Sequence, residues 1–138
     1  MTRFSANLGF LWTDLALPDA IRAAHAAGFD AVECHWPYAV PPAAVRTALQ
    51  ETGLPMLGLN TARGRPGESG LAALPGREAE ARAAVDQALD YAERTDTQAI
   101  HVMAGFAEGP AAEAAFLETL AFACQSTSRM ILIEPLNR

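Results

Sequence analysis

The feature that most limits what this chain can fold into is its punctuation. A short apolar run gives way to a helical pattern, the helix stops at a glycine, and another apolar run follows. "LPDAIRAAHAAGF" predicts a helix with Pro18 in its first turn and Gly28 as its stop. "DAVECHW" then reads as a strand, "PPAAVRTALQETG" as a helix entered through prolines and ended by Gly53, and "PMLGLN" as the next strand. Helix, glycine, strand is written twice in succession, which is the grammar of βα units and a parallel sheet.

The remainder keeps the same order. "RFSANLGF" opens the chain as a strand, and "AIHVMAG" and "MILIEP" supply two more, separated by the helical "PAAEAAFLETLAFACQS". Within "PGREAEARAAVDQALDYAERT" the residues Ala81, Val85, Ala88, Leu89 and Ala92 recur at helical intervals and predict a buried stripe. Glu78, Arg82, Asp86 and Glu93 fall on the wetter side. The count is about five strands and four helices with no interdomain linker, so residues 1–138 are expected to form one domain. A chain near this size buries roughly 68–70% of its extended surface.

Side chains alternate faces along a strand, so residues of equal parity share a face. Ser5 and Asn7 align on the first strand, Glu33 and His35 on the second, and Gly58 and Asn60 on the third. His101 and Met103 align on the fourth, and Met130, Leu132 and Glu134 on the fifth. Each strand thus turns polar groups to one common face, near its exit. A doubly wound sheet, covered by helices on both sides, prefers apolar residues on both faces, whereas a barrel of parallel strands turns one face to a shared interior. The pattern favours a βα barrel, whose catalytic groups sit at the C-terminal strand ends.

Each of these residues also has a plainer reading. Asn7 and Asn60 can bond loop backbone, Glu33 can neutralise an arginine, and His101 can be a satisfied core histidine. Glu134 is different: it ends the apolar run "MILI", where a carboxylate is costly to bury unless it is paired or bound to a cation. His25, in mid-helix, and His35, near a turn, read as solvated or packing residues. Between Asn60 and Pro75 runs "TARGRPGESGLAAL", too long for an ordinary βα loop of ~2–6 residues, and it reads as either a lid or a disordered segment. Its place after a strand exit favours function.

Composition removes other classes. All ten basic residues are arginine. Without lysine there is no Schiff-base aldolase, no lysine-anchored pyridoxal phosphate and no Walker A loop. The net charge of -6 argues against nucleic acid or an anionic membrane as the main partner. Cys34 and Cys124 are isolated, read as buried or half-buried thiols, and suit a reducing cytoplasm. "MTRFSANLGFLW" has no apolar stretch behind a basic start, and no apolar run approaches the ~18 residues of a membrane span. The expectation is a cytoplasmic protein without export or anchor.

The stretches "FSANLGF", "AAGFDAVE", "LGLNTARG", "ALPGREAEARAAVDQALDYA", "IHVMAG" and "ILIEPLNR" resemble the hydroxypyruvate isomerase family, within the xylose isomerase-like βα barrels. The resemblance runs along nearly the whole chain. It implies a divalent metal held by two glutamates, an aspartate and a histidine, with the glutamates also moving protons. Glu134 matches the first glutamate, as both catalytic group and metal ligand. The implied reaction interconverts hydroxypyruvate and 2-hydroxy-3-oxopropanoate through an enediolate stabilised by chelation. Oxygen-rich ligation suits Mg2+ or Mn2+.

By position rather than by family motif, His101 and Asn60 are placed to orient substrate, with Asn7 and Glu33 as further lining residues. Arg63 or Arg65 is placed to meet the substrate carboxylate by a bidentate contact. The loop "TARGRPGESG" departs from the proline and aspartate that relatives carry near its start. A complete barrel needs ~250 residues and eight strands, and this sequence stops after the fifth. It reads as the N-terminal portion of a (β/α)8 barrel, without the later strands that bring the aspartate, the histidine and the second glutamate. One carboxylate alone neither holds a metal tightly nor serves both sides of a proton transfer.

Two other readings stand beside this one. In a non-catalytic assembly unit, open edges at the first and fifth strands would pair two copies into a homo-oligomer. In a related epimerase or 2-oxo acid isomerase, the class is kept and the substrate changes. A DNA-repair endonuclease shares the barrel, but acidic charge and only three histidines count against a multi-zinc phosphodiesterase.

Overall fold

The computed structural model describes residues 1–135; the end of the "ILIEPLNR" block, 136–138, lies outside the described residues. Five strands and four helices alternate among them: β1 (Ser5–Asn7), α1 (Leu17–Ala26), β2 (Ala31–Glu33), α2 (Pro42–Thr52), β3 (Gly58–Asn60), α3 (Glu78–Thr95), β4 (Ala99–His101), α4 (Pro110–Ser126) and β5 (Met130–Leu132). This is the βα order read from the sequence. The chain forms two compact units, Met1–Leu59 with Tyr91–Gln98, and Asn60–Asp90 with Ala99 onward.

In the first unit β1 and β2 pair in parallel, with Ala6 opposite Val32 and Asn7 opposite Glu33. Val32 also bridges Met56 in parallel, its amide donating to the Pro55 carbonyl at 3.0 Å. β2 is therefore flanked on both sides. Ala6, Ile21, Val32, Val45 and Ala48 are fully buried, and sequestering each branched side chain contributes roughly 1.5–3 kcal/mol. α1 and α2 start where the prolines predict, since a proline in the first turn loses no intrahelical bond. Gly53 ends α2 with φ 71°, a left-handed cap that a side chain would strain. At the close of α3, the Tyr91 hydroxyl donates to the Val40 carbonyl at 2.8 Å.

In the second unit β4 pairs in parallel with β5, His101 opposite Leu132. The Thr61 amide, just past β3, donates to the His101 carbonyl at 2.9 Å. Ile100 and Val102 are buried, as are Leu71, Ala81 and Ala84, which pack together. The alanine stripe of α3 is core, as its period predicts.

Three expectations need correction. β5, read as a buried strand, is open: Met130 is 66% exposed, Leu132 38% and Ile133 63%. Among the described residues it has a strand neighbour on one side only, so much of its apolar run stays uncovered although it touches α4. Cys124, read as buried or half-buried, is exposed on α4. The disordered alternative for the long loop after Asn60 does not hold. Gly70 bridges Ala104 in antiparallel fashion, and the Ala72 and Ala73 amides donate to the Met103 and Ala104 carbonyls at 3.2 and 2.7 Å.

Candidate active site

The second unit brings three of the expected residues together. Asn60 ends β3, His101 ends β4, and Glu134 lies two residues beyond β5. His101 Nδ1 is 3.2 Å from Asn60 Oδ1 and 3.7 Å from Glu134 Oε2. With Asn60 Oδ1 as the facing atom, the contact calls for the Nδ1–H tautomer of His101. The separation from Glu134 is an electrostatic contact rather than a hydrogen bond.

Burial divides the pair. The His101 side chain is 11% exposed, whereas that of Glu134 is 61% exposed. The idea that Glu134 needs a cation because it is buried therefore does not hold: its carboxylate faces solvent, because β5 is open. What remains is its position at a strand exit beside a sequestered imidazole. The reading of Asn60 as a purely backbone-bonding residue also gives way, since its amide oxygen meets His101.

Thr61 and the loop that follows complete this end of the unit. Thr61 is buried, and its hydroxyl accepts the Met103 amide at 3.0 Å. Arg63 and Arg65 are exposed on the loop. Arg65 sits 3.6 Å from Glu80, while the Arg63 carbonyl accepts the Gly70 amide at 2.8 Å.

In the first unit, Asn7 and Glu33 are register partners with half-buried side chains. Asn7 Oδ1 accepts the Gly9 amide at 2.9 Å, the loop-bonding role that was its plainer reading. No arginine pairs with Glu33 among the described residues, so neutralisation is not its role. His35 stacks edge-on against Phe10 and Trp36, with centroids at 4.9 and 5.1 Å, and His25 is exposed. A cleft of about 290 Å³ lies in this unit, lined by Trp12, Leu15, Cys34, His35 and Trp36. Burial pushes the Cys34 thiol up to about 12, so it is no nucleophile.

Sequence reasoning missed the cleft and the ionic support of the loop. Arg77 pairs with both Glu68 and Glu80. Only "ALPGRE" within the family resemblance pointed toward it.

The divalent ion that the resemblance implies does not find its donor set here. Among the described residues no three His, Cys, Asp or Glu side chains converge on one point. Glu134 offers one carboxylate, and the His101 nitrogen nearest to it faces Asn60. A metal centre would need at least two more donors than these residues bring together.

Alternating helices and parallel strands with polar residues at the strand exits are the features of a βα-barrel family. A family model described as Xylose isomerase-like TIM barrel matches residues 21–138, and the chain belongs to that family. Among curated relatives, a putative hydroxypyruvate isomerase of Homo sapiens is 42% identical, covering 98% of this chain and 54% of its own length. A 2-oxo-tetronate isomerase of Cupriavidus necator is also 42% identical, over 99% of this chain and 56% of its own. Among solved structures, one described as an AP endonuclease, family 2, from Brucella melitensis superposes with TM-score 0.93 and 35% identity, covering 99% of this chain and 56% of that one. The chain spans about half the length of the relatives it matches. The resemblance to hydroxypyruvate isomerases read from the sequence thus holds.

Proposed function

We propose that this chain carries part of the active site of an isomerase that moves a proton between adjacent carbons of a small 2-oxo acid, with hydroxypyruvate as the first candidate. The observation that carries the reading is the Asn60–His101–Glu134 array at the exits of β3, β4 and β5. Its closest support from outside the chain is the set of relatives named as isomerases of hydroxypyruvate and 2-oxo-tetronate.

In this reading Glu134 takes a proton from C3 of hydroxypyruvate. The C–H pair becomes the C2–C3 double bond, and the C2 carbonyl oxygen takes up the charge. Proton delivery to C2, with the C3 hydroxyl proton passing to the C2 oxygen, gives 2-hydroxy-3-oxopropanoate. His101 and Asn60 orient the substrate oxygens, and Arg63 or Arg65 meets its carboxylate.

The test is solvent exchange. Hydroxypyruvate in D2O with Mg2+ is followed by proton NMR for deuterium entering C3, using the wild-type chain and Glu134→Gln. Exchange above buffer that is lost in the variant supports the reading; equal rates for the two proteins sink it.

A second substrate stands on one observation, the identical 42% identity to a 2-oxo-tetronate isomerase. Running the same exchange on 2-oxo-tetronate separates the two by rate. The open apolar face of β5 supports a further proposal, pairing of two copies through that edge. Light scattering that gives a monomer at all concentrations would remove it. No helix among the described residues is long and apolar enough to cross a membrane.

A further inference from the structure

The "ALPGRE" block singles out an arginine for which the reaction has no evident use. Arg77 stands immediately before α3, where the helix dipole disfavours a cation. Its surroundings explain its presence. The guanidinium reaches Glu68 through both terminal nitrogens, Nη1 to Oε1 and Nη2 to Oε2, the latter at 3.3 Å. It reaches Glu80 through Nε at 2.9 Å and Nη2 at 2.7 Å. One planar fork thus grips two carboxylates, each by two contacts, which a lysine ammonium does not reproduce. The Arg77 side chain is only 17% exposed and that of Glu68 25%.

Glu68 carries the connection onward into the loop. Its Oε2 accepts the Arg65 amide at 2.6 Å, and its own amide donates to the Arg65 carbonyl at 2.9 Å. Gly64 has φ +98°, and a Cβ there would overlap Glu68 Oε2 and the Leu71 side chain. Glycine is needed for the carboxylate to come so close. Gly70 closes the other end, its amide on the Arg63 carbonyl and its α-carbon against the Met103 backbone, with no room for a Cβ. The segment from Arg63 to Gly70 is a closed loop tied by one carboxylate to one arginine.

We propose that Arg77 is a positioning residue: through Glu68 it fixes the Arg63–Gly70 loop so that Arg63 is held ready at the exit of β3 for the carboxylate of the substrate. The inference rests on the isomerase reading for the substrate and on the loop geometry for the latch. Arg77 itself touches no reacting atom. Its contribution is to hold the loop in order before the ligand arrives, lowering what binding must spend on ordering.

Trypsin provides the test, because Arg65 precedes Pro66 and resists cleavage, leaving Arg63–Gly64 as the reporter bond of the loop. Wild type, Arg77→Met, Arg77→Lys and Glu68→Gln are digested under native conditions, and cleavage at 63 is compared with cleavage at Arg46 and Arg129. Cleavage after brief opening follows the open population, so each variant is expected to speed the Arg63 site by about tenfold or more while the other sites keep their rates. Arg77→Lys is expected to behave as Arg77→Met, because the charge remains and the fork is lost. Hydroxypyruvate is then added, and it is expected to protect Arg63 in wild type with an apparent affinity weakened about tenfold in Arg77→Met.

If all sites accelerate together, Arg77 is a general structural residue and the proposal fails. Protection of wild type with no local acceleration in any variant, including the near-isosteric Glu68→Gln, overturns the proposal and leaves the isomerase reading intact. Local acceleration with no protection of wild type by hydroxypyruvate or 2-oxo-tetronate removes the substrate from Arg63 and overturns the proposal, while the isomerase reading stands or falls on the exchange measured with Glu134→Gln.

Discussion

His35 and His101 both stand just where a strand gives way to its loop, one in each unit, and they are held in opposite ways. His35 is gripped by rings, Phe10 and Trp36 edge-on to it, and its imidazole lies so near Gly9 that a Cβ at that position would overlap it. His101 is gripped by polar oxygens, Asn60 at 3.2 Å and Glu134 at 3.7 Å. The first environment sets an imidazole among rings, while the second sets one beside an amide oxygen and a carboxylate. The residue type is the same and both stand near a strand exit, His101 ending β4 and His35 two residues past β2, so their neighbours are what distinguish them.

The largest effect that would break this comparison is on proton exchange. Glu134→Gln is expected to lower the exchange of hydroxypyruvate by roughly 10²–10⁴-fold, the range for loss of a general base. His35→Phe, which keeps the ring packing, is expected to leave it within about threefold. Were the His35 variant the more damaging, the chemistry would belong to the first unit.

Next in size is a contrast in stability between a covered element and an open one. Ile21, fully buried on α1, is expected to cost 2–5 kcal/mol when cut to alanine, through lost burial and the cavity left behind. Leu132→Ala on β5 is expected to cost within about 0.5 kcal/mol, as at an ordinary exposed position. Urea melts of both variants read this directly. A Leu132 loss as large as that of Ile21 would mean that β5 is covered in solution, as pairing of two copies requires.

The Glu68–Arg77–Glu80 cluster gives the second unit a pH dependence of its own. Arg77 and the Arg65 amide hold the Glu68 carboxyl below the usual 4.5, and Arg77 does the same for Glu80. Both values are lower in the folded protein than in the unfolded chain. Their contribution is therefore complete above about pH 4.5 and drains away as the pH falls through the depressed values. The protection factor of the Arg65 amide is expected to fall over that acid range, ahead of that at Ala6 in the β1 core. Parallel loss at the two positions would show that the cluster does not act locally.

How much of this could be read from sequence follows the range of each interaction. Helix limits were legible because Pro18, Pro42 and Pro110 mark starts and Gly53 marks a stop, all local backbone effects. The shared polar face, with Asn60, His101 and Glu134 on it, was legible from strand parity alone. The exposure of Glu134 was not, because it depends on which strands flank β5 and not on the apolar run that precedes it. The loop latch was equally hidden: Glu68 and Arg77 stand in irregular chain, where no period relates one position to another.

The smallest expected effect concerns the two thiols, and it tests the same division between covered and open elements. Alanines occur on every side of α4, so its sequence does not announce a buried face, and Cys124 proves to lie on the open one. Cys34 follows β2 and is buried, with a thiol pushed up to about 12 by desolvation and by Glu33 nearby. The raised thiol keeps Cys34 protonated at pH 8, thiolate being the form that reacts, and reagent must also reach it. Iodoacetamide is expected to label Cys124 alone, read by mass spectrometry after digestion. That labelling is expected to shift the melting midpoint by no more than a surface substitution does, about 0.5 kcal/mol. Comparable labelling of Cys34 in native protein would mean that the first unit opens far more readily than its buried strands imply.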